Sequence, residues 1–183
     1  HSMGCRVVLE SCRTAPDRVA GIVLVDGSAI AAGERSAAER GMSDQLEARG
    51  YDEFIRSFFD GMFTPASDPK LKSTIIERAL QLPADIGMSL LPRLAGWDAA
   101  QLRAALGDVR VPLMAIQTTS LNSERVRVPL PADETSAWLD LVRNHVPSAR
   151  IETLADQGHF PHVEMPDEVS ALISDFVTGI RSG

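Results

Sequence analysis

The sequence predicts an α/β fold in which parallel strands with flanking helices are interrupted by a helical insertion. Residues 4–15 have the pattern of a helix, and the apolar run at residues 22–25 follows as a strand buried on both faces. A second such run occupies residues 111–117. Between the two runs, residues 29–107 are rich in Ala, Glu, Arg and Leu and contain no convincing strand pattern.

The first helix is expected to end at Pro16, which cannot continue it. Its apolar residues are expected near one face, with Arg6 among the polar residues that lie largely apart from them. The apolar set is Val7, Val8, Leu9 and Cys12. The turn residues 26–28 then close the first strand.

Gly, Pro, Asp and Ser divide the insertion into short predicted helices. These helices are expected at residues 37–48, 51–62, 69–81 and 99–106, and the separators include Gly50, Pro65, Pro83, Pro92 and Gly96. Residues 1–28 and 108–183 are therefore assigned to an α/β core, and residues 29–107 to an all-helical cap insertion.

The α/β pattern returns with the strand at residues 111–117. The polar segment 118–131 follows, in which Arg125 and Arg127 alternate with Val126 and Val128. A helix at 135–145, a half-buried edge strand at 149–154, a loop at 156–159 and an amphipathic helix at 166–181 complete the prediction.

Composition limits the possible partners. A net charge of −7, spread along the chain, argues against a nucleic-acid partner or an anionic membrane surface. No apolar run approaches the roughly 18 to 20 residues that span a bilayer, and no signal peptide is visible. Cys5 and Cys12 lie about 10 Å apart along a helix, too far for a disulfide, and reduced cysteines fit a cytoplasmic protein. No metal-ligand spacing occurs, and no cofactor is expected.

Residues His1–Gly4 have the x-S-x-G part of a G-x-S-x-G motif, whose leading glycine would stand before His1. The complete motif places a serine on a tight strand-to-helix turn, with its hydroxyl held above the sheet edge. Ser2 is therefore a candidate nucleophile. It could also be an ordinary serine or the remnant of a tag, but the offset of Gly4 and the helix and strand that follow favour catalysis.

A serine nucleophile needs a histidine base, and the histidine needs a carboxylate that fixes its tautomer. Asp26 stands at the carboxyl end of a buried strand, where α/β sheets place functional groups, although it could simply form a turn. His159 lies in a glycine-flanked loop between the last strand and the last helix. His162 is expected near the same site, and His1 is expected to pack under the serine turn.

Most of the phenylalanines lie in the insertion, together with Met62. The simpler interpretation is that they form the inner face of the helical segment. The alternative is that some of them line an apolar substrate pocket. Phe58, Phe59 and Met62, together with Phe160 beside His159, are the tentative pocket residues.

These residues resemble the α/β-hydrolase superfamily, in its branch of cap-bearing serine hydrolases and esterases. The resemblance rests on His1–Gly4, on residues 23–28 and on residues 158–161, which continue into 164–169. It implies the C-terminal part of that fold, starting at the nucleophile turn.

The resemblance also bears on the acid of the triad. In one subgroup the acid follows the strand before the cap and lies 24 residues past the nucleophile, which is the spacing from Ser2 to Asp26. In many other members it follows the strand after the cap. Glu124 and Asp133 are therefore the alternatives to Asp26.

The activity that the resemblance implies is the cleavage of small or medium apolar esters through an acyl-enzyme on Ser2. The Met3 backbone N–H and a second N–H from an earlier loop would hold the oxyanion. The partners expected are a small-molecule ester and an N-terminal half of the same protein, or a second chain, that completes the sheet. A homo-oligomer is possible in this scheme. The alternative is a non-catalytic fragment, or one half of a two-chain enzyme that is inactive without the other.

Overall fold

The computed structural model describes residues 1–65, 67–123 and 126–182. They form two compact units. The sheet unit contains His1–Ser28 and the residues from Arg103 onward, and the helical unit contains Ala29–Leu102. Residues 103–107, which the sequence analysis assigned to the insertion, thus belong to the sheet unit.

Helices separate the strands of the main sheet, whereas three strands in the second half of the chain follow one another without a helix between them. The helices are α1 (Gly4–Thr14), α2 (Arg35–Arg49), α3 (Tyr51–Asp60), α4 (Pro69–Ala79), α5 (Ala84–Ala100), α6 (Leu102–Gly107), α7 (Ala137–His145), α8 (Pro161–Glu164) and α9 (Pro166–Ser182). The strands are β1 (Ile22–Val25), β2 (Leu113–Gln117), β3 (Thr119–Leu121), β4 (Arg127–Pro129) and β5 (Arg150–Thr153), and a 3₁₀ turn spans Pro16–Arg18. Among the described residues, no helix has the length and apolar character needed to cross a membrane.

The main sheet is parallel, in the order β1-β2-β5. The central strand β2 is buried along its whole length, as its apolar run predicts. The edge strand β5 is half-buried along its length, as predicted, although its residues do not alternate between buried and exposed. Because Val25 pairs with Ile116, the carboxyl ends of β1 and β2 lie side by side. The residues that follow the two strands therefore meet at one edge of the sheet.

One part of the core of the sheet unit lies between the sheet and α9. Side chains of β1, β2 and α9 form one apolar cluster, whose buried members are Val25, Met114, Ile116, Val169 and Phe176. Leu172, Ile173 and Ile180 of α9 pack against it from the same stripe. The amphipathic pattern predicted for the last helix is confirmed by this packing.

The buried face of α1 differs from the predicted one. Val7 and Val8 are exposed, at 57% and 37%, whereas Cys5 and Arg6 are buried. The burial of Cys5, Leu9 and Cys12 follows the i, i+4, i+7 spacing of one helical face, and Val7 and Val8 lie outside it. Both cysteines are free and buried, as expected.

The sequence predicts breaks at Pro83, Pro92 and Gly96, but only Pro83 lies between helices, and α5 runs through the other two. The helix continues through Pro92, which removes one backbone hydrogen bond but is buried. Its glycines provide close packing instead of breaks, since a Cβ at Gly96 would collide with the Glu39 side chain of α2. Tertiary packing here outweighs the local preference of proline and glycine.

The polar segment after β2 also differs from the prediction. It contains a short antiparallel hairpin, in which β3 pairs with β4 and Leu121 lies opposite Arg127. Strands of three residues are too short to show a reliable alternation of polar and apolar residues. The short helix α8, which follows His159 closely, has only four residues, too few to show a helical periodicity in the sequence.

We expect replacement of Gly27 by alanine to destabilise the sheet unit by about 2 to 3 kcal/mol. An added Cβ would collide with the indole ring of Trp138, which is only 4% exposed on α7. The Gly27 carbonyl also accepts a hydrogen bond from Gln117 Nε2 at 3.0 Å, so the backbone has little freedom to move away. Urea unfolding of the natural full-length protein and of the variant measures the change.

Gly179 of α9 provides the matched control. A Cβ at this position meets no atom within 4 Å. Alanine there is expected to stabilise the helix by up to about 1 kcal/mol, because glycine is a poor helix former. Equal stabilities of the Gly27→Ala and Gly179→Ala variants would contradict the close packing around Gly27.

Candidate active site

Ser2 occupies a strained turn between the sheet and α1. Its φ of +52° is uncommon for a residue other than glycine, and such strain is often retained at functional sites. The Ser2 N–H donates to the carbonyl of Val25, at 3.0 Å, which ties the turn to the end of β1. The Cys5 N–H donates to the Ser2 carbonyl, also at 3.0 Å, so the turn at the serine leads into α1.

His159 lies between Ser2 and Asp26 and has no exposed surface. Its Nδ1 is 2.6 Å from Asp26 Oδ2, and its Nε2 is 2.8 Å from Ser2 Oγ. An ionised carboxylate only accepts hydrogen bonds, so Nδ1 carries the proton and Nε2 accepts the serine hydroxyl. The structure thus brings together the three residues that the sequence analysis named for the triad.

Asp26 is fully buried and directly follows β1. Its backbone has a left-handed conformation, with a φ of +42°. Oδ1 accepts the backbone N–H groups of Thr118 and Thr119, both at 2.8 Å. Oδ2 accepts the Thr119 hydroxyl at 2.5 Å and Arg127 Nη1 at 3.2 Å, in addition to His159. The carboxylate therefore has five donors around it.

The surroundings of the two groups keep Asp26 charged and His159 neutral. Burial alone would raise the pKa of Asp26, but the hydrogen bond from His159 and the charge of Arg127 lower that pKa below its ordinary value. Burial lowers the pKa of His159, and Arg127 lowers it further, against the opposing effect of Asp26. A neutral imidazole hydrogen-bonded to a serine hydroxyl is the resting state of a general base.

The loop that carries His159 is held by side chains from other elements. His1 Nε2 donates to the His159 carbonyl at 2.6 Å, and Thr118 Oγ1 donates to the Gly158 carbonyl at 2.8 Å. The ring centroids of His1 and His162 lie 4.4 Å apart. Phe160 is buried, and its ring meets that of His159 edge to face at 5.2 Å. His1 therefore helps to position the loop, and its packing beneath the serine turn stays a prediction.

Met3 is the N-cap residue of α1, directly before Gly4, and has helical backbone angles. Within the part of the chain that the structure describes, no residue accepts a hydrogen bond from its backbone N–H. The positive end of the helix dipole lies at the same place. These features suit the oxyanion donor that the sequence analysis proposed there.

Of the two alternative acids, Asp133 does not take the place of Asp26 beside His159. Asp133 is exposed, whereas Asp26 Oδ2 contacts His159 Nδ1 directly. Glu124 lies outside the described residues.

The tentative pocket residues of the insertion lie in the helical unit. Phe58 and Phe59 are half-buried and pack against its apolar cluster, and Met62 is buried. The rings of Phe54 and Phe58 are stacked at 5.8 Å. This packing agrees with the simpler interpretation, in which these residues form the inner face of the helical segment. Their role in a substrate pocket stays a prediction.

Sequence reasoning missed several residues around Asp26. Thr118 and Thr119 follow β2 directly, and the expectation that neighbouring strand ends meet could have identified them. Arg127 and Ser28, whose side chains contact each other at 3.2 Å, carry no such signal. Arg6, which donates to the Ser28 carbonyl at 2.6 Å, belongs to the polar residues expected largely apart from the apolar face of α1.

Two other kinds of site, a metal site and a cysteine nucleophile, have less support in this region. Within the described residues, no group of three or more His, Cys, Asp or Glu side chains is placed to hold a metal ion. Burial raises the pKa of the Cys5 thiol, and the Cys5 Sγ donates to the Val25 carbonyl at 3.7 Å. Cys5 is therefore suited to packing and poorly suited to nucleophilic attack.

Comparison with known proteins identifies the family. The model of the alpha/beta hydrolase family matches residues 1–172, and the chain belongs to this family. A pimeloyl-[acyl-carrier protein] methyl ester esterase of Aromatoleum aromaticum is 29% identical over 194 residues, which cover 97% of this chain and 72% of that protein.

Solved structures share the fold. The enol-lactonase from Burkholderia xenovorans has a TM-score of 0.70 at 18% identity, and the match covers 97% of this chain and 63% of that one. A hydrolase from Oleispira antarctica has a TM-score of 0.71 at 14% identity, with the same two coverages. The chain thus spans about three fifths of the length of these solved structures, which at such identities are evidence of fold alone.

Proposed function

We propose that this chain carries the Ser-His-Asp triad of a serine esterase, with Ser2 as nucleophile, His159 as base and Asp26 as the acid that orients it. The continuous hydrogen-bonded chain from Ser2 Oγ through the His159 ring to Asp26 Oδ2 is the observation that carries the proposal. Membership of the alpha/beta hydrolase family and the similarity to a methyl ester esterase support it.

The proposed reaction has two halves. Ser2 Oγ attacks the ester carbonyl while its proton passes to His159 Nε2, and Asp26 stabilises the imidazolium. The tetrahedral intermediate collapses, and the leaving alcohol takes the proton from Nε2. Water then attacks the acyl-enzyme, with His159 again accepting a proton, and the carboxylic acid leaves while Ser2 regains its hydrogen.

The developing oxyanion needs donors that are in place before the reaction begins. The Met3 N–H, at the start of α1, is the first proposed donor. A second N–H is proposed to come from a segment outside these 183 residues.

The same segment could complete the sheet. Strand β1 pairs with β2 on one side, and no strand among the described residues pairs with its other edge. The unpaired edge of β1 exposes backbone groups of a largely buried strand, and such an edge favours pairing with another strand. We propose that an N-terminal part of the same protein, or a second chain, occupies it, and that these 183 residues alone are inactive.

Small or medium apolar esters are the proposed substrates. We expect the natural full-length protein to hydrolyse p-nitrophenyl acetate, butyrate and octanoate, with lower kcat/KM for the palmitate ester. Release of p-nitrophenolate, followed against the spontaneous rate, measures this. The absence of turnover with every ester would contradict the proposal. Turnover that appears only when a second chain is added would support the two-chain form.

A further inference from the structure

A buried arginine contacts the acid of the proposed triad. The Arg127 side chain is only 9% exposed and reaches the site from β4. Its Nη1 lies 3.2 Å from Asp26 Oδ2 and 2.5 Å from Thr119 Oγ1, and its Nη2 lies 3.2 Å from Ser28 Oγ. A permanent positive charge thus shares one carboxylate oxygen with the His159 imidazole.

This arrangement has two consequences for the triad. Burying a charge is costly unless it is paired, so the guanidinium and the carboxylate hold each other in place. The positive charge of Arg127 also opposes the arrival of a second positive charge on His159. An imidazole beside Asp26 and Arg127 should therefore stay neutral, and able to accept a proton, at lower pH than one beside Asp26 alone.

We propose that Arg127 is a positioning residue of this site, which anchors the Asp26 carboxylate and extends to lower pH the range over which His159 accepts the serine proton. The inference rests on the proposed function of the triad. It assigns Arg127 no contact with the substrate, because its described contacts are all with Asp26, Thr119 and Ser28.

Other charged or titratable groups also face the site. His162 of α8 also opposes charging of His159, and the His1 ring lies 4.6 Å from the His159 ring. Arg6 of α1 lies near enough to Arg127 to lower its pKa, after the larger effect of burial. Cys5 of α1 is a buried thiol whose pKa is raised. None of these groups has the direct contact with Asp26 Oδ2 that Arg127 makes.

The direction of the pH effect follows from these contacts. The base is active when His159 is neutral, so activity is lost as pH falls through the pKa of His159. Because burial and then Arg127 lower this pKa, the acid-side midpoint of kcat/KM is expected below the ordinary histidine value of 6.5. Removal of the Arg127 charge should move the midpoint upward, toward neutral pH.

The test compares Arg127→Gln with Arg127→Lys in the natural full-length protein. Glutamine can still donate to Asp26 but carries no charge, and we expect it to raise the midpoint by about half a pH unit or more. Lysine keeps the charge and should leave the midpoint unchanged, with a lower kcat because the contact with Ser28 is lost. Arg150→Gln is the matched control, since Arg150 pairs with Glu152 and Asp175 and should not affect the midpoint.

The imidazole titration of His159, followed by NMR, gives the same midpoint without requiring turnover. Equal midpoints in the wild type and Arg127→Gln would overturn the inference. If Arg127→Gln does not fold, Arg127→Lys decides, and a shift of its midpoint by about half a unit or more would overturn it. Failure of ester hydrolysis with a shifted titration would instead count against the proposed function alone.

Discussion

Replacement of Ser2 by alanine is expected to lower kcat for ester hydrolysis by about 10⁴- to 10⁶-fold. The substitution removes the only atom that forms the acyl bond and leaves the contact between His159 and Asp26 in place. The Ser2 N–H still donates to the Val25 carbonyl, so the turn should persist. We therefore expect a large loss of activity with little change in the free energy of unfolding.

Ser11 on the same helix provides the control for this prediction. Its hydroxyl is exposed and donates to the Val7 carbonyl at 2.8 Å. Ser11→Ala should keep full activity, measured as kcat/KM with p-nitrophenyl butyrate. A Ser2→Ala protein that retains more than about a hundredth of the wild-type kcat would show that another group is the nucleophile.

Replacement of Asp26 by asparagine is expected to affect both activity and stability. We expect kcat to fall by about 10³- to 10⁴-fold, because asparagine cannot fix the His159 tautomer or stabilise the imidazolium. The free energy of unfolding should fall by about 3 kcal/mol or more, because the buried Arg127 loses its counter-charge. In asparagine, an NH₂ group would replace one of the two carboxylate oxygens. The hydrogen-bond donors that now approach that oxygen would then face another donor.

A double variant separates these two effects. Asp26→Asn combined with Arg127→Gln removes both buried charges, and we expect it to recover part of the stability and none of the activity. Asp140→Asn is the control, because Asp140 is exposed and its pair with Arg143 at 3.4 Å contributes little. Additive losses in the double variant would contradict the buried pairing of Asp26 with Arg127.

Much of the sheet could be predicted from local sequence patterns. The strands β1 and β2 are short apolar runs between turn residues, and α9 shows an apolar stripe over its length. The residues proposed for the triad also stand at recognisable places, namely a serine turn, a strand end and a glycine-flanked loop. Each of these signals lies within a few residues of the position that it identifies.

The remaining features depend on contacts between distant parts of the chain. Arg127 is 101 residues from Asp26, and no local pattern connects the two. Their meeting requires both the pairing of β1 with β2 and the folding of the β3–β4 hairpin. Helix α5 likewise continues through Pro92 within a packed helical unit, where a proline in an isolated segment would predict a break.

The covalent labelling of Ser2 tests the central claim most directly. A fluorophosphonate reacts with an activated serine, whose oxygen displaces fluoride from phosphorus while the general base takes the proton. For the natural full-length protein, the proposed function predicts a single adduct by intact mass, located on Ser2 by peptide mapping and absent from Ser2→Ala. Ester hydrolysis that continues with Ser2 unlabelled, or an adduct on a different residue, would contradict it.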